Sequence, residues 1–269
     1  MSNGYSCEIE IVGDVVRRRP PAGPAIFPSY DLELEARVIN AVRVPAPRPA
    51  RYADGVLTMP FVAGPIPADF TPLDPWLQGL PDDAARRRVW ESTIDTIAAI
   101  HREPLVDGLR VGLTAELDYW ADYLDWMGDV PDDLRRAYDW CCTHAPLANE
   151  PAPVLLWGDV RFGNIVYDEA TLRPKAVLDW EMVSAGPAAM DVAWLTALDQ
   201  VGRDLSGLSV PGFGGRDEAL ARFGFDSDDV DWYEVFALVR ASAIATRIGL
   251  LKGKTREQPT LTAALQRIG

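Results

Sequence analysis

The hydrophobic and polar positions at the start of the chain alternate. Residues 7–12 (CEIEIV) and 15–18 (VVRR) are separated by a Gly-Asp pair, which is a turn signal. Alternation on both sides of such a pair is typical of a β-hairpin. After a proline-rich loop, apolar side chains recur every fourth residue within 31–42. The pattern therefore predicts a hairpin followed by one helix.

The period of the pattern changes near residue 63. Residues 56–62 (VLTMPFV) indicate a strand interrupted by Pro60, a residue that strands tolerate mainly at edges and ends. Beyond it, helices are predicted over 82–101, from a Thr114 cap, from residue 132 and over 228–251, with short strands at 154–157, 165–167 and 176–178. The fold class is therefore α+β, with a small β-rich part over residues 1–62 and a mainly helical part over residues 63–269.

Composition and charge narrow the classes of partner. The chain has 269 residues and a formal net charge of −14, from 40 acidic and 26 basic side chains. Such a chain should repel nucleic-acid phosphates and anionic lipid. No apolar run reaches the ~18 residues of a membrane span, and the amino terminus does not resemble a secretory signal. We expect a cytoplasmic protein that binds neither nucleic acid nor membranes.

The cationic side chains are unequal in kind. Lys175, Lys252 and Lys254 are the three lysines, and every other basic side chain is an arginine. Chemistry that needs a lysine before residue 175 is therefore excluded. The three cysteines and two histidines have no convincing zinc spacing. The sequence gives no information on oligomeric state.

One segment carries a chemically informative spacing. After a strand that ends at Trp157, a loop presents Asp159 and, five residues later, Asn164; a second hairpin leads to Asp179 and Glu181. Phosphoryl transfer needs one group that orients a hydroxyl and hard oxygen ligands for magnesium. Three carboxylates and an amide that converge at strand ends satisfy both needs.

These residues also carry a family resemblance. WGDVRFGN, VLDWE and MDVAWL together resemble the aminoglycoside phosphotransferase family of kinase-like enzymes, most of all its acyl-CoA-dehydrogenase-associated and actinobacterial branch. That branch carries Trp where other members have His, as at Trp157 here. The resemblance covers nearly the whole chain and implies a two-lobed, protein-kinase-like fold.

The resemblance also implies roles for individual residues. Asp159 would be the catalytic base, Asn164 and Asp179 would hold Mg²⁺, and Glu181 would assist at a second metal. Asp191 would be the buried acid that hydrogen-bonds the catalytic loop. Independently of the family, His101 lies at the end of a predicted helix, and we expect it to have a structural hydrogen-bonding role.

The first 62 residues would bind ATP or GTP. Arg18 is the best match for the cation that grips the nucleotide phosphates, and Glu35 for its helix partner, with Arg17, Arg19 and Glu33 as alternatives in register. An arginine suits a phosphate because it is permanently charged and bidentate. The remaining matches are Met59 and Phe61 in the interlobe hinge, and Asn3 and Gly4 in the phosphate-covering loop. That loop has one glycine and follows directly on Met1, so we expect either a trimmed nucleotide lobe or a true start upstream.

Two functions remain open on this basis. The first is phosphoryl transfer from ATP or GTP to the hydroxyl of a small molecule: an aminoglycoside, another antibiotic or a hydroxyacyl thioester. The second is a pseudokinase-like binding protein without phosphotransfer, which the short covering loop favours. A hydrolase of the Ser-His-Asp type is a distant third, because neither histidine stands in the sequence context of a catalytic nucleophile.

Overall fold

The computed structural model of the chain describes residues 6–253 and 258–269. Asn3 and Gly4, the two expected covering-loop residues, lie outside the described residues. Among the described helices, none combines the length and the apolarity needed to cross a membrane.

A four-stranded antiparallel sheet and one helix form the amino-terminal part. The strands are β1 (Glu8–Val12), β2 (Val15–Arg19), β3 (Arg51–Ala53) and β4 (Val56–Pro60), in the spatial order β1-β2-β4-β3. Helix α1 (Leu32–Ala41) packs its buried face on β3 and β4. The predicted hairpin and helix are confirmed. Strand β3, however, lies within residues 44–55 (VPAPRPARYADG), a stretch whose composition predicts extended loop and turn. Its three residues are all exposed, so no alternation of buried and exposed positions marks them.

The rest of the described chain is mainly helical. Its helices are α2 (Pro75–Gly79), α3 (Asp83–Ile100), α4 (Leu113–Met127), α5 (Asp132–Thr143), α6 (Ala189–Ser206), α7 (Arg216–Phe223), α8 (Ser227–Leu251) and α9 (Pro259–Ile268). Four short strands, β5 (Val154–Leu156), β6 (Ile165–Tyr167), β7 (Pro174–Val177) and β8 (Ser184–Gly186), form the pairs β5-β8 and β6-β7. Helix α8 is buried along most of its length and packs chiefly on α6, which places both at the centre of this part.

The start of α4 differs from the predicted Thr114 cap. The helix begins at Leu113, and its N-cap is Gly112, which has no side chain to accept a hydrogen bond. The Leu113 amide instead donates to Glu150 Oε1, at 2.6 Å. A distant carboxylate thus satisfies one of the free amide groups at this helix end. No local sequence pattern could show such a cap.

The connection between the two parts is fixed to the β6-β7 hairpin. The Tyr167 amide donates to the Pro65 carbonyl at 2.9 Å, and Lys175 Nζ donates to the Ala63 carbonyl at 3.0 Å. Gly64 has a φ of +159°, and a Cβ there would lie 2.3 Å from the Tyr167 oxygen. Only glycine permits this close approach of two backbones. The connector is therefore held against the hairpin that carries the predicted catalytic residues.

Candidate active site

One buried carboxylate, that of Asp191, holds the loop between β5 and β6 in place. Asp191, at the start of α6, accepts hydrogen bonds from the amides of Trp157 and Gly158, each at 2.9 Å, and lies 3.1 Å from His101 Nε2. Asp191 is 1% exposed. It therefore ties helix α6, the end of α3 and the loop together. The structural role expected for His101 is confirmed.

Gly158 allows the loop to turn. Its φ is +90°, and a Cβ there would lie 2.3 Å from the Met182 carbonyl oxygen. Both the positive φ and the contact with backbone exclude a side chain at this position. The glycine therefore fixes where the next residue, Asp159, points.

Asp159 is held by three neighbours. Trp194 Nε1 donates to Oδ1 at 3.2 Å, and Asn164 Nδ2 donates to Oδ2 at 2.8 Å. Arg161 Nε lies 2.9 Å from Oδ2, within ion-pair distance. Burial raises the pKa of Asp159, and the Arg161 guanidinium opposes this shift. The carboxylate is thus fixed in orientation and is more basic than a free aspartate, as a group that accepts a hydroxyl proton needs to be.

Asp179 is joined to this loop through the backbone of its neighbour. The Leu178 amide donates to the Asn164 carbonyl at 2.8 Å, and Trp157 Nε1 donates to the Leu178 carbonyl at 2.9 Å. Asp179 itself has a φ of +57°, a strained conformation for a residue with a Cβ. The structure therefore brings Asp179 beside Asn164, as the spacing predicts.

Arg18 and Glu35 meet in the register that the sequence favours. Arg18 Nη1 lies 2.8 Å from Glu35 Oε2, and both side chains are buried. Arg17 and Arg19, the alternatives, are exposed and pair with Glu10 on β1. Glu33 is exposed. The pair is thus the one buried between the sheet and α1.

The same guanidinium reaches the second hairpin. Arg18 Nη2 lies 3.2 Å from Asp179 Oδ1 and 3.3 Å from Glu181 Oε2, and Ser6 Oγ donates to Glu181 at 2.6 Å. Three carboxylates thus surround one cation. Burial raises the pKa of Glu35 to about 7, and burial together with Asp179 raises that of Glu181 well above its ordinary value. A cation bound at this cluster would favour the ionised carboxylates and so lower these raised pKa values.

The oxygen atoms present suit magnesium. Asn164 donates hydrogen bonds from its side-chain nitrogen to Asp159. Its side-chain oxygen accepts no hydrogen bond from any described residue, which leaves this oxygen available to a metal. The Asp179 side chain is 24% exposed and the Glu181 side chain 11%. Carboxylate and amide oxygens are hard ligands of the kind that Mg²⁺ prefers. The donor types of Asn164, Asp179 and Glu181 therefore match the metal that the resemblance implies. No group of three His, Cys, Asp or Glu side chains among the described residues is placed to hold a metal ion.

Met59 lies near the end of β4, and Phe61 directly follows that strand. Met59 is buried in the sheet opposite Val16, and Phe61 is 45% exposed. The Phe61 amide donates to the Asp14 carbonyl at 2.8 Å, so this donor is occupied within the protein.

Sequence reasoning missed two residues of the site. Arg161 lies within the WGDVRFGN segment and Trp194 within MDVAWL, yet neither was assigned a role. Both contact the Asp159 carboxylate. Arg161 could have been found because it stands two residues after Asp159, whereas Trp194 could not, because only the fold brings α6 to this loop.

A cavity of about 230 Å³ borders the same loop. The loop contributes Arg161, and α6 contributes Asp199 and Arg203. Each carboxylate that lines the cavity is paired: Asp69 with Arg161 at 2.7 Å, and Asp199 with Arg203 at 2.6 Å. The cavity therefore presents balanced charge.

The chain is similar to known proteins in sequence and in fold. The sequence model of the phosphotransferase enzyme family matches residues 10–228. Human acyl-CoA dehydrogenase family member 11 is 26% identical over 198 residues, which are 66% of this chain and 24% of that protein. The chain thus spans about a quarter of the length of that relative.

Solved structures show the same fold. The ADP-bound aminoglycoside phosphotransferase APH(2'')-Ib superposes with a TM-score of 0.60 at 16% identity, covering 99% of this chain and 91% of that one. The GDP and kanamycin complex of APH(2'')-IIIa gives 0.58 at 17%, covering 99% and 89%. The predicted α+β, two-lobed, kinase-like fold is confirmed.

Proposed function

The chain belongs to the phosphotransferase enzyme family, and from this premise we propose that it transfers the γ-phosphoryl group of ATP or GTP to a hydroxyl of a small molecule. The observation that carries the proposal is the placement of Asp159. Its carboxylate is oriented by Trp194 and Asn164, beside a cluster in which Arg18 meets Glu35, Asp179 and Glu181. The carboxylate that would orient the acceptor hydroxyl thus lies next to the cluster that would bind the phosphates and the metal.

Each side chain has a defined task in this reaction. Asp159 accepts the hydrogen bond of the acceptor hydroxyl and takes its proton as the oxygen attacks the γ-phosphorus. The bond from that phosphorus to the β,γ-bridging oxygen breaks, which leaves ADP or GDP and a phosphorylated acceptor. Arg18 contacts the nucleotide phosphates, and Glu35 fixes its direction. Holding the groups in line supplies a large part of such a rate enhancement.

Asn164, Asp179 and Glu181 would hold Mg²⁺. When bound, the metal neutralises charge on the phosphates. As part of the same proposal, residues 1–62 bind the nucleotide, with Met59 and Phe61 at its base, and residues 63–269 bind the acceptor. The use of ATP or GTP is supported by the ADP and GDP found in the two similar structures, and a small hydroxylated acceptor by the kanamycin in one of them.

The test compares Asp159→Asn with Asp179→Asn. Turnover would be measured with Mg-ATP and Mg-GTP on aminoglycosides, other hydroxylated antibiotics and hydroxyacyl thioesters. Nucleotide binding would be measured separately by calorimetry with and without magnesium. We expect Asp159→Asn to lower turnover on the order of 10²-fold or more while nucleotide binding stays near that of the wild type, because this side chain meets the acceptor. Asp179→Asn should weaken metal-dependent nucleotide binding and turnover together.

Asp168→Asn is the matched control. Its carboxylate accepts backbone hydrogen bonds in an exposed turn of the β6-β7 hairpin, away from the cluster. Equal turnover by the wild type and Asp159→Asn on the best acceptor would refute the assignment. A folded wild type that binds neither Mg-nucleotide would refute the proposed reaction as a whole.

The alternative is a binding protein without phosphotransfer. Arg18 Nη2 already occupies Asp179 and Glu181, the acids proposed for the metal. Magnesium-dependent nucleotide binding together with no turnover on any acceptor would favour this alternative.

A further inference from the structure

Arg240 is a buried cation among aromatic rings. It lies in the middle of helix α8 and is 3% exposed. Its guanidinium carbon lies 4.7 Å from the centre of the Trp194 ring and 5.1 Å from that of Phe236. Trp120, on α4, lies on a further side at 6.0 Å. The side chain is thus enclosed by α4, α6 and α8.

Within the described ranges, no anionic side chain contacts this guanidinium. No carboxylate there lies within 4.0 Å of it, and it donates no hydrogen bond to a described residue. Its Nε is fully buried without a partner. The carboxylates of Glu116, Asp191 and Asp159 favour its charge through space. None of them is free to turn to it, because Glu116 is paired with Arg110 at 3.1 Å, and Asp191 and Asp159 accept the hydrogen bonds described above. Arg18, by comparison, has three carboxylates around one guanidinium.

An unpaired buried charge is expensive. Most arginines in proteins are either exposed to solvent or, when buried, paired with an anion. The reason is that removal of the charge from water is unfavourable unless a partner offsets it. The three rings compensate in part, since the negative face of an aromatic ring attracts a cation. They leave the hydrogen-bonding capacity of a planar, five-donor group unused. A carboxylate or a phosphate can accept two parallel hydrogen bonds from such a group.

The position of this cation relative to Asp159 is the second observation. The Trp194 ring that lies against Arg240 is the same ring whose Nε1 donates to Asp159 Oδ1. The guanidinium is therefore one indole away from the carboxylate proposed to receive the acceptor hydroxyl. A small molecule with a hydroxyl at one end and an anionic group at the other would bring one group to each.

We infer that Arg240 binds an anionic group, a carboxylate or a phosphate, on the acceptor. This inference rests on the proposed function, because it uses Asp159 as the site of the acceptor hydroxyl. It narrows the acceptor to a hydroxy acid or a phosphorylated alcohol. A polycation would meet an unpaired guanidinium here, and in the neighbouring cavity both lining carboxylates, Asp69 and Asp199, are already paired with arginine. Aminoglycosides are thus the wrong charge class for this site.

The test measures binding at equilibrium and needs no turnover. The full chain, loaded with Mg-ADP, would be titrated by calorimetry with ω-hydroxyalkanoates of increasing length and with their uncharged amides. A parallel arm uses glycerol 3-phosphate and glycerol, and kanamycin serves as the polycation. We expect the anionic member of at least one pair to bind roughly 10- to 100-fold more tightly than its neutral counterpart. The arm that shows the preference distinguishes a carboxylate from a phosphate.

Arg240→Met should remove this preference, so that the acid and its amide bind equally. Arg240→Lys keeps the charge but loses the planar fork, and should reduce the preference. Arg247→Met is the matched control. Arg247 also lies on α8 over an indole, that of Trp126 at 4.4 Å, but its Nε donates to the Ala25 carbonyl at 2.9 Å. This variant should keep the preference of the wild type.

Several results would overturn the inference. They are equal binding of charged and neutral members, no binding of any anionic probe, tightest binding of kanamycin, or an undiminished preference in Arg240→Met. Far-UV circular dichroism establishes that the variants are folded. If Arg240→Met does not fold, Arg240→Lys decides, and an unchanged preference there overturns the inference. Failure of the proposed function is a separate result, because it is an absence of phosphoryl transfer by the wild type.

Discussion

Replacement of Asp191 by asparagine should loosen the catalytic loop and destabilise the protein. The two carboxylate oxygens each accept one backbone amide, from Trp157 and from Gly158, in a fully enclosed position. Asparagine offers one oxygen and one NH₂ group, so one of these amides must face another donor in either orientation of the side chain. The hydrogen bond that remains, to the oxygen of the asparagine, is also weaker because its acceptor is no longer charged.

The size of the effect follows from these contacts. A hydrogen bond to a charged group contributes about 1.5–3 kcal/mol, and a buried donor left without an acceptor costs about 1–3 kcal/mol. We therefore expect the free energy of unfolding to fall by roughly 3–5 kcal/mol. For a chain of this length, that corresponds to a fall in melting temperature of roughly 6–20 °C.

Thermal and urea unfolding followed by circular dichroism would measure this loss. Asp168→Asn again serves as the control, since Asp168 accepts the amides of Ala170 and Thr171 in an exposed turn where water can replace the lost acceptor. Its melting temperature should change much less. A melting temperature of Asp191→Asn equal to that of the wild type would show that this carboxylate does not hold the loop.

Two further outcomes are expected. Gly158→Ala should lower the melting temperature and phosphotransfer activity together, because its Cβ would lie 2.3 Å from the Met182 carbonyl; Gly55→Ala, with positive φ but open space, is the control and should cost less. For Glu35, burial raises the pKa from 4.5 to about 7, so the folded state binds the proton more tightly and the contribution of this group to stability falls as pH rises across that interval. The glutamine of Glu35→Gln does not titrate, so the stability of this variant relative to the wild type should increase as pH rises from 4.5 to about 7. Urea unfolding across this interval measures the difference, and a difference in midpoint that does not vary with pH would contradict the prediction.

The sequence predicts contacts in the site between residues that are close along the chain better than contacts between distant segments. Asp159 and Asn164 are five residues apart and lie on one loop, so their spacing alone indicated their contact. Arg18 and Glu35 come from an adjacent strand and helix, and the resemblance supplied their register. The strand β3 escaped prediction because it is short and exposed, and the start of α4 because Glu150 caps it from a distant loop.

Arg240 shows where sequence reasoning ends. It stands in an apolar helix, 81 residues after Asp159. A charge in such a run is visible in the sequence, but whether it is paired, exposed or buried alone is decided by the packing of α4, α6 and α8. Only the fold reveals that it shares the Trp194 ring with the catalytic loop.

The arginine at position 18 also determines which reagents can detect this protein. Nucleotide acyl phosphates, which are used to survey kinases in cell extracts, acylate the amine of a lysine next to the bound phosphates. The neighbouring carboxylates Glu35 and Asp179 outweigh the effect of burial and raise the pKa of Arg18, so its guanidinium stays protonated and is no nucleophile. A label found on Lys175, which is hydrogen-bonded to the connector, would report on that surface rather than on the phosphates. Surveys of this kind would therefore pass over the proposed nucleotide site of this protein, and that of any relative that carries arginine at the same position.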